Sequence, residues 1–194
     1  MSNMEFNEKQ ILEAKGFIGG FLHHDELEFV QIGSEPNQGY FRRPKDIVQE
    51  MHVKNLIVDK ASEFMAKRMR PGTNWGSGIQ YLELGTGFGT GTTQSPQAES
   101  ATQTRLRVAL IRKAITSWTY LDSAGSPTGT ETNVIQLTTT FNESEGNGAL
   151  VEMGLFGGDA TATQGTGYMF NYKTFPVWNK QQGMKLTIVW RLSF

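Results

Sequence analysis

The feature that most constrains this fold is the closing run from Met184 to Phe194. Met184, Leu186, Ile188, Trp190, Leu192 and Phe194 alternate with Lys185, Thr187, Val189, Arg191 and Ser193. Extended backbone turns about 180° per residue, so the first set shares one face and the run is a half-buried β-strand. Val189 is the single large apolar residue on the other side. A chain closing on Phe194 has a ring to bury, which places this strand inside a sheet rather than at an edge. Such a strand needs neighbours to pair with and a second layer over its apolar side.

The neighbours are visible upstream. Ile79 to Leu84 reads as a strand, and Leu110 to Leu121 as another, carrying Ile111, Ile115, Trp118 and Tyr120. Asn133 to Phe141 alternates, with Ile135, Leu137 and Phe141 inward and Gln136, Thr138 and Thr140 outward. In Leu150 to Phe156, Val151, Met153 and Leu155 are expected to share a face. Tyr168, Phe170 and Tyr172 form a further alternating strand, bounded by Pro176. Twenty-two glycines against 6 prolines, with turn signals between short strands, indicate a mainly β chain. The expected architecture is an antiparallel β-sandwich, jelly-roll-like or immunoglobulin-like, with one helix and an extended N-terminal arm.

The helix is read over residues 53–70, where Val53, Leu56, Ile57, Ala61, Phe64, Met65 and Met69 make one apolar stripe. Lys67, Arg68 and Arg70 suit its C-terminal dipole, and Pro71-Gly72 stops it. The expected division is therefore an arm, 1–52, and a sandwich domain, 53–194. In the first segment Phe17, Phe21, Phe29, Tyr40 and Phe41 punctuate polar residues and turns. Either these rings complete the domain's own core, or they anchor the segment on a neighbouring subunit. Spaced aromatics and arginines are the residue types that dominate interface energetics, which makes Phe17, Phe21, Phe29, Tyr40, Phe41, Arg42, Arg43 and Lys45 the candidate protein-interface residues.

Sites for chemistry are scarce in the sequence. A formal net charge of −1 argues against a nucleic-acid partner. The absence of cysteine removes disulfide and thiolate chemistry. Residues 1–10 carry no apolar signal core, and the apolar runs are too short to span a bilayer, so the expectation is no membrane association and folding in a reducing compartment. His23-His24-Asp25-Glu26, with His52, is the only compact set of metal-ligand types. Its spacing matches no zinc site, and no metal or cofactor is expected. Gly85-Thr86-Gly87-Phe88-Gly89-Thr90-Gly91 lacks the third glycine of a dinucleotide fingerprint and is read as a flexible surface loop leaving a strand. No nucleophile–base pairing stands out, so no catalytic residue is assigned and the expectation is a non-enzymatic protein. Glu152, an acid among apolar neighbours beside Gly154, is read as an acceptor for backbone N–H groups from a turn.

Taken in order, several of these patterns resemble a widespread group of structural proteins from tailed-bacteriophage particles. They are Tyr81-Leu82-Glu83-Leu84-Gly85-Thr86-Gly87, Phe141 to Gly148, Val151-Glu152-Met153-Gly154-Leu155-Phe156, Phe175-Pro176-Val177, and Leu186 to Phe194. The match covers residues 53 to 194. Members carry a Gly-Thr-Gly leaving a strand, a Glu-x-Gly-Leu-Phe and a closing Leu-Thr-x-x-Trp-x-x-x-Phe. The resemblance implies a β-rich virion module, assembled in the host cytoplasm, that binds other virion proteins (the major capsid protein, or tail and portal-vertex proteins) as a homo-oligomer. The leading expectation is a capsid decoration or cement protein. The alternatives are a tail, baseplate or fibre-attachment subunit, and a host-glycan-binding module using Trp75, Phe88 and the Gly157 to Gly167 stretch.

Overall fold

The computed structural model describes residues 15–24, 27–31, 40–44, 46–69, 76–87 and 96–194. In chain order the elements are β1 (Lys15–His23), β2 (Leu27–Gln31), β3 (Tyr40–Pro44), β4 (Ile47–Lys54), β5 (Leu56–Ile57), α1 (Asp59–Met69), β6 (Ser77–Gly85), β7 (Ala109–Ala114), β8 (Ser117–Leu121), β9 (Pro127–Thr128), β10 (Val134–Phe141), β11 (Gly148–Gly158), β12 (Tyr168–Lys180) and β13 (Lys185–Ser193). Two antiparallel sheets form a β-sandwich. One has the order β4-β1-β13-β10-β8-β9 and the other β5-β12-β11-β6-β7. Among the described residues, the strands β2 and β3 pair with each other and with no other strand.

The closing strand β13 lies between β1 and β10, away from either edge. Its alternate residues Leu186, Ile188, Trp190 and Leu192 enter the core, where they meet Leu82, Met153, Leu155, Phe175 and Trp178 of the second sheet. Burying this many large side chains supplies most of the folding free energy, at about 1.5–3 kcal/mol for each one fully buried. Gly20 belongs to the same inner face. A Cβ there would sit 3.1 Å from the Trp178 ring and 3.0 Å from Met51 Cε, so its bareness admits both side chains. The expected burial of Phe194 does not occur: the ring is 47% exposed, and the residue is held through its backbone by Asn133.

At both lateral edges the chain steps from one sheet to the other. β4 lies at the edge of the six-stranded sheet, and β5 follows at once on the edge of the five-stranded one. Likewise β7 runs into β8 through Ile115 and Thr116, whose amides bond to Gln80 O and Thr138 O on opposite sheets. The run read as one strand from Leu110 to Leu121 is therefore two strands and a corner, a usual device for closing a sandwich.

The helix begins later than expected. Val53 is in β4, Leu56 and Ile57 are in β5, and α1 starts at Asp59, whose carboxylate suits a helix N-terminus. Over so short a stretch a period of 3.6 cannot be told from a period of 2. The extended form wins because β1 and β12 offer ladders to pair with. Ala61 is buried in the core and Met65 packs against it, so α1 covers β12. The expected boundary between residues 52 and 53 falls inside β4. Since β1 and β4 are strands of the main sheet, those parts of segment 1–52 belong to the sandwich.

Two more expectations need correction. Pro176 does not end its strand: β12 runs through it to Lys180. The ladder to β11 jumps from Leu150↔Trp178 to Glu152↔Thr174, so the proline sits in a bulge where no ladder N–H is required. That jump also removes Val151 from the face of Met153 and Leu155; it packs instead toward Gly87, where an added Cβ would lie 2.3 Å from it. A second irregularity, between Leu155 and Phe156, puts Phe170 in the inner core and Tyr172 on the outer face.

Candidate functional site

The outward face of the five-stranded sheet carries polar groups that are fully buried. In register across β6, β11 and β12, Glu83 lies level with Gly154 and Tyr172, and Gly85 with Glu152 and Thr174. Glu83 and Glu152 both have 0% exposure. Two segments cover them: the connection from residue 96 to 108, here called the strap, and the loop from 159 to 167.

Glu152 holds the strap. Its carboxylate accepts the Val108 amide at 2.9 Å, the Arg107 amide at 3.2 Å and the Tyr172 hydroxyl at 2.7 Å. Backbone N–H donors to a carboxylate make short, directional bonds, roughly twice as strong as neutral pairs. This is the role expected of Glu152 from sequence. Burial, then the bond to Glu152, raises the Tyr172 hydroxyl well above the usual phenol range.

Two glycines make the geometry possible. A Cβ on Gly85 would lie 2.6 Å from Glu152 Oε1 and 2.6 Å from Val108 O, inside contact distance of both. A Cβ on Gly154 would lie 3.0 Å from Leu106 of the strap, which is buried over the sheet with Phe156, Met169 and Tyr172. So the Gly-Thr-Gly after β6 and the Glu-x-Gly of β11 are halves of one arrangement. The first admits the carboxylate, and the second admits the strap's leucine. The expectation of a surface loop at Gly85 and Gly87 is corrected accordingly: both are buried. Phe88 to Gly91 lie outside the described residues. Further along, the strap is tied by Thr174 to Gln97 O and Glu99, by a 2.7 Å pair between Lys173 and Glu99, and by Ala101 O accepting the Asp59 amide of α1.

Glu83 and Arg112 hold the second loop. Arg112 Nε donates to Glu83 Oε2 at 2.5 Å, with both side chains out of solvent. Its Nη1 donates to Thr161 O, Thr166 O and Thr166 Oγ1 at 2.9–3.1 Å, and the Gly165 amide reaches Glu83 Oε2 at 3.3 Å. The guanidinium lies 4.3 Å from the Phe156 ring centre, where the aromatic face favours a cation. Glu83 Oε1 and Arg112 Nη2 are buried without a hydrogen-bond partner. A buried ion pair with unspent valence fixes geometry more than it adds stability. These carboxylates are engaged with the chain itself, and the work the arrangement does is to hold two surface segments.

A buried ammonium does the same for the turn between β10 and β11. Lys180 Nζ donates to Asn142 O at 2.9 Å, Asn147 Oδ1 at 2.9 Å and Glu143 O at 3.3 Å. Burial lowers its pKa, and Glu143 and Glu145 pull it back up. Glu145 accepts the Asn142 amide and pairs with Lys113, whose bond holds the Glu145 carboxyl below its usual range.

The candidate interface residues are dispersed. Phe21 is completely buried against Val189 on the outward face of the six-stranded sheet, so it has no surface to offer a neighbour. Phe17 is half-buried beside it and stacks on His52 with ring centres 5.6 Å apart. Phe29 lies on β2, and Tyr40, Phe41, Arg42 and Arg43 lie on β3, which approaches β1. Lys45 lies outside the described residues. Large apolar side chains that are exposed in the described chain, and that the sequence did not single out as contacts, are Trp118 (46%), Val48, Leu110 and Phe194.

The histidines do not converge. His23 is buried and bonds Thr187 Oγ1 at 3.0 Å, His24 is exposed and bonds Gly183 O, and His52 pairs with Glu50. Asp25 and Glu26 lie outside the described residues. Among the described residues there is no group of three or more His, Cys, Asp or Glu positioned for a metal ion. Nor is any described helix long and apolar enough to cross a membrane. No family model, curated protein or solved structure matches this chain.

Proposed function

We propose that this chain is a structural, non-enzymatic component of a tailed-bacteriophage particle, serving as a decoration or cement subunit on the capsid surface. It binds other virion proteins as a homo-oligomer. The observation that carries this reading is the convergence of the shared motifs. Gly85 comes from one of the patterns behind the resemblance and Glu152 and Gly154 from another, and they meet around one buried carboxylate that pins the strap. Motifs that jointly build a supporting device belong to a scaffold whose surface must hold a set shape. Adhesion to neighbours uses such a surface, because contacts fixed beforehand need not be ordered on binding.

Phe17, Phe29 on β2 and the β3 residues Tyr40, Phe41, Arg42 and Arg43 remain the proposed contacts from the N-terminal segment. Trp118 joins them, as a tryptophan 46% exposed on a rigid strand. A glycan-binding reading draws less support. The loop from 159 to 167 contains no aromatic residue and is tied to Arg112. Trp75 and Phe88 lie outside the described residues.

The test is a particle made without this protein. Loss of resistance to heat and chelators, restored by adding the purified chain, is the expected result. Unchanged resistance would remove the cement role, and labelled chain found on the tail would make it a tail subunit.

A further inference from the structure

The turn that Lys180 holds contains the one Asn-Gly step in the chain, Asn147-Gly148. This dipeptide is the backbone's own route to loss of the side-chain amide nitrogen, because an unsubstituted glycine amide can reach the preceding side-chain carbonyl carbon. Both residues are exposed. Gly146 and Gly148 flank the asparagine with φ of 63° and 142°, values that residues bearing a Cβ rarely adopt. Around Gly148 the nearest heavy atom to an added Cβ would be Leu110 Cδ2 at 3.7 Å, so the glycine is not crowded.

Asn147 is also held in an unusual way. Its Oδ1 lies 2.9 Å from the buried Lys180 ammonium, and its Nδ2 donates to exposed Gln182 at 3.1 Å. We propose that Asn147 is a self-modification site, converted to aspartate or isoaspartate with Lys180 as the electrostatic promoter. The Gly148 amide gives up its proton to solvent base, and its nitrogen forms a bond to Asn147 Cγ. The carbonyl electron pair moves onto Oδ1, where the ammonium faces the developing charge as an oxyanion-hole donor does. The Cγ–Nδ2 bond then breaks, and the nitrogen leaves as ammonia after taking a proton from water. Water opens the resulting succinimide at either carbonyl. In the aspartate product the new carboxylate takes the place of the Asn147 amide beside Lys180, so a neutral contact becomes a charged pair; with either product the chain gains one negative charge.

The experiment is peptide mapping by mass spectrometry of the full chain, aged folded and unfolded in urea at one mildly alkaline pH. Exposed Asn142 and Asn179 in the same samples serve as internal references. Asn147 is expected to convert faster in the folded chain than in the unfolded one, where Lys180 is no longer held against it. Lys180→Met, checked for folding, is expected to slow conversion about tenfold or more, since one such donor is worth up to 10²–10³ in an enzyme. Faster conversion on unfolding or in Lys180→Met would mean that Lys180 protects Asn147, and would overturn the proposal. Ammonia loss without water gain, with the Asn147 and Lys180 peptides joined, would identify Nζ as the attacking group and overturn it as well.

Discussion

Outside the five-stranded sheet, beside the apolar cluster of Leu106, Phe156 and Met169, the buried polar groups are two carboxylates and a guanidinium bonded to the covering segments, and a phenol bonded to one of those carboxylates. Outside the six-stranded sheet, along β1 and β13, they are mainly rings and hydroxyls. Phe21 and Val189 are packed together, His23 bonds Thr187, and Thr187 bonds Thr140. The charged exception there is Arg191, which burial pushes down to about 10, still charged at neutral pH, and which donates to Gln136 at 3.0 Å. Apolar burial is strong and indifferent to direction, whereas buried ions are costly and directional. Apolar packing therefore contributes stability on both faces, and on the five-stranded face the buried ions in addition set the positions of the strap and the loop.

The largest expected effects break this contrast directly. Arg112→Met leaves Glu83 buried and uncompensated, and should cost about 3–5 kcal/mol in urea unfolding. The double variant Glu83→Leu/Arg112→Met should recover most of that loss, because both charges leave together. Phe21→Ala should cost a similar amount, about 3–5 kcal/mol, but no second substitution nearby should restore it. If the Glu83/Arg112 pair also failed to recover, the charges would be supplying stability after all.

Smaller effects sharpen the picture. Gly85→Ala drives a methyl group against Glu152 Oε1 and Val108 O, and should cost about 1–3 kcal/mol. In a Glu152→Ala background the added loss should shrink, because one of the two clashes is gone. Tyr172→Phe removes one hydrogen bond, worth about 1 kcal/mol. It should also change the alkaline limb of stability. The folded Tyr172 pKa lies above the ordinary 10.0, so its contribution is fully present below that pH. As pH rises further, the unfolded chain ionises while the folded chain resists, and stability falls. The phenylalanine variant should lose this component of the decline. Trp118→Ala should change stability by no more than about 0.5 kcal/mol, while weakening particle binding under the proposed function.

Much of the sandwich was legible in the chain because alternation is a local signal. The strands β10 and β13 read correctly; β13 does lie inside its sheet, although the burial of the Phe194 ring from which that place was argued does not occur. Glu152 was legible for a similar reason: a carboxylate inside an apolar strand must find donors. Which donors it finds was not legible, since Arg107 and Val108 approach only through the tertiary path of the strap. The glycines at 85 and 154 likewise read as turn or motif residues until their neighbours across β6 and β11 are known. The helix start, the bulge at Pro176 and the corner at Ile115 were missed because each depends on what lies alongside. β4, β5, β7 and β8 are strands because partner edges accept them.

The central physical claim is that Glu152 fixes the strap without carrying the fold. Amide hydrogen exchange in the intact chain and in Glu152→Ala addresses it most directly. The account predicts that protection at Arg107 and Val108 collapses in the variant, while the amides of β10 and β13 stay protected. Equal loss of protection across both sheets, or continued protection of Arg107 and Val108, would contradict it.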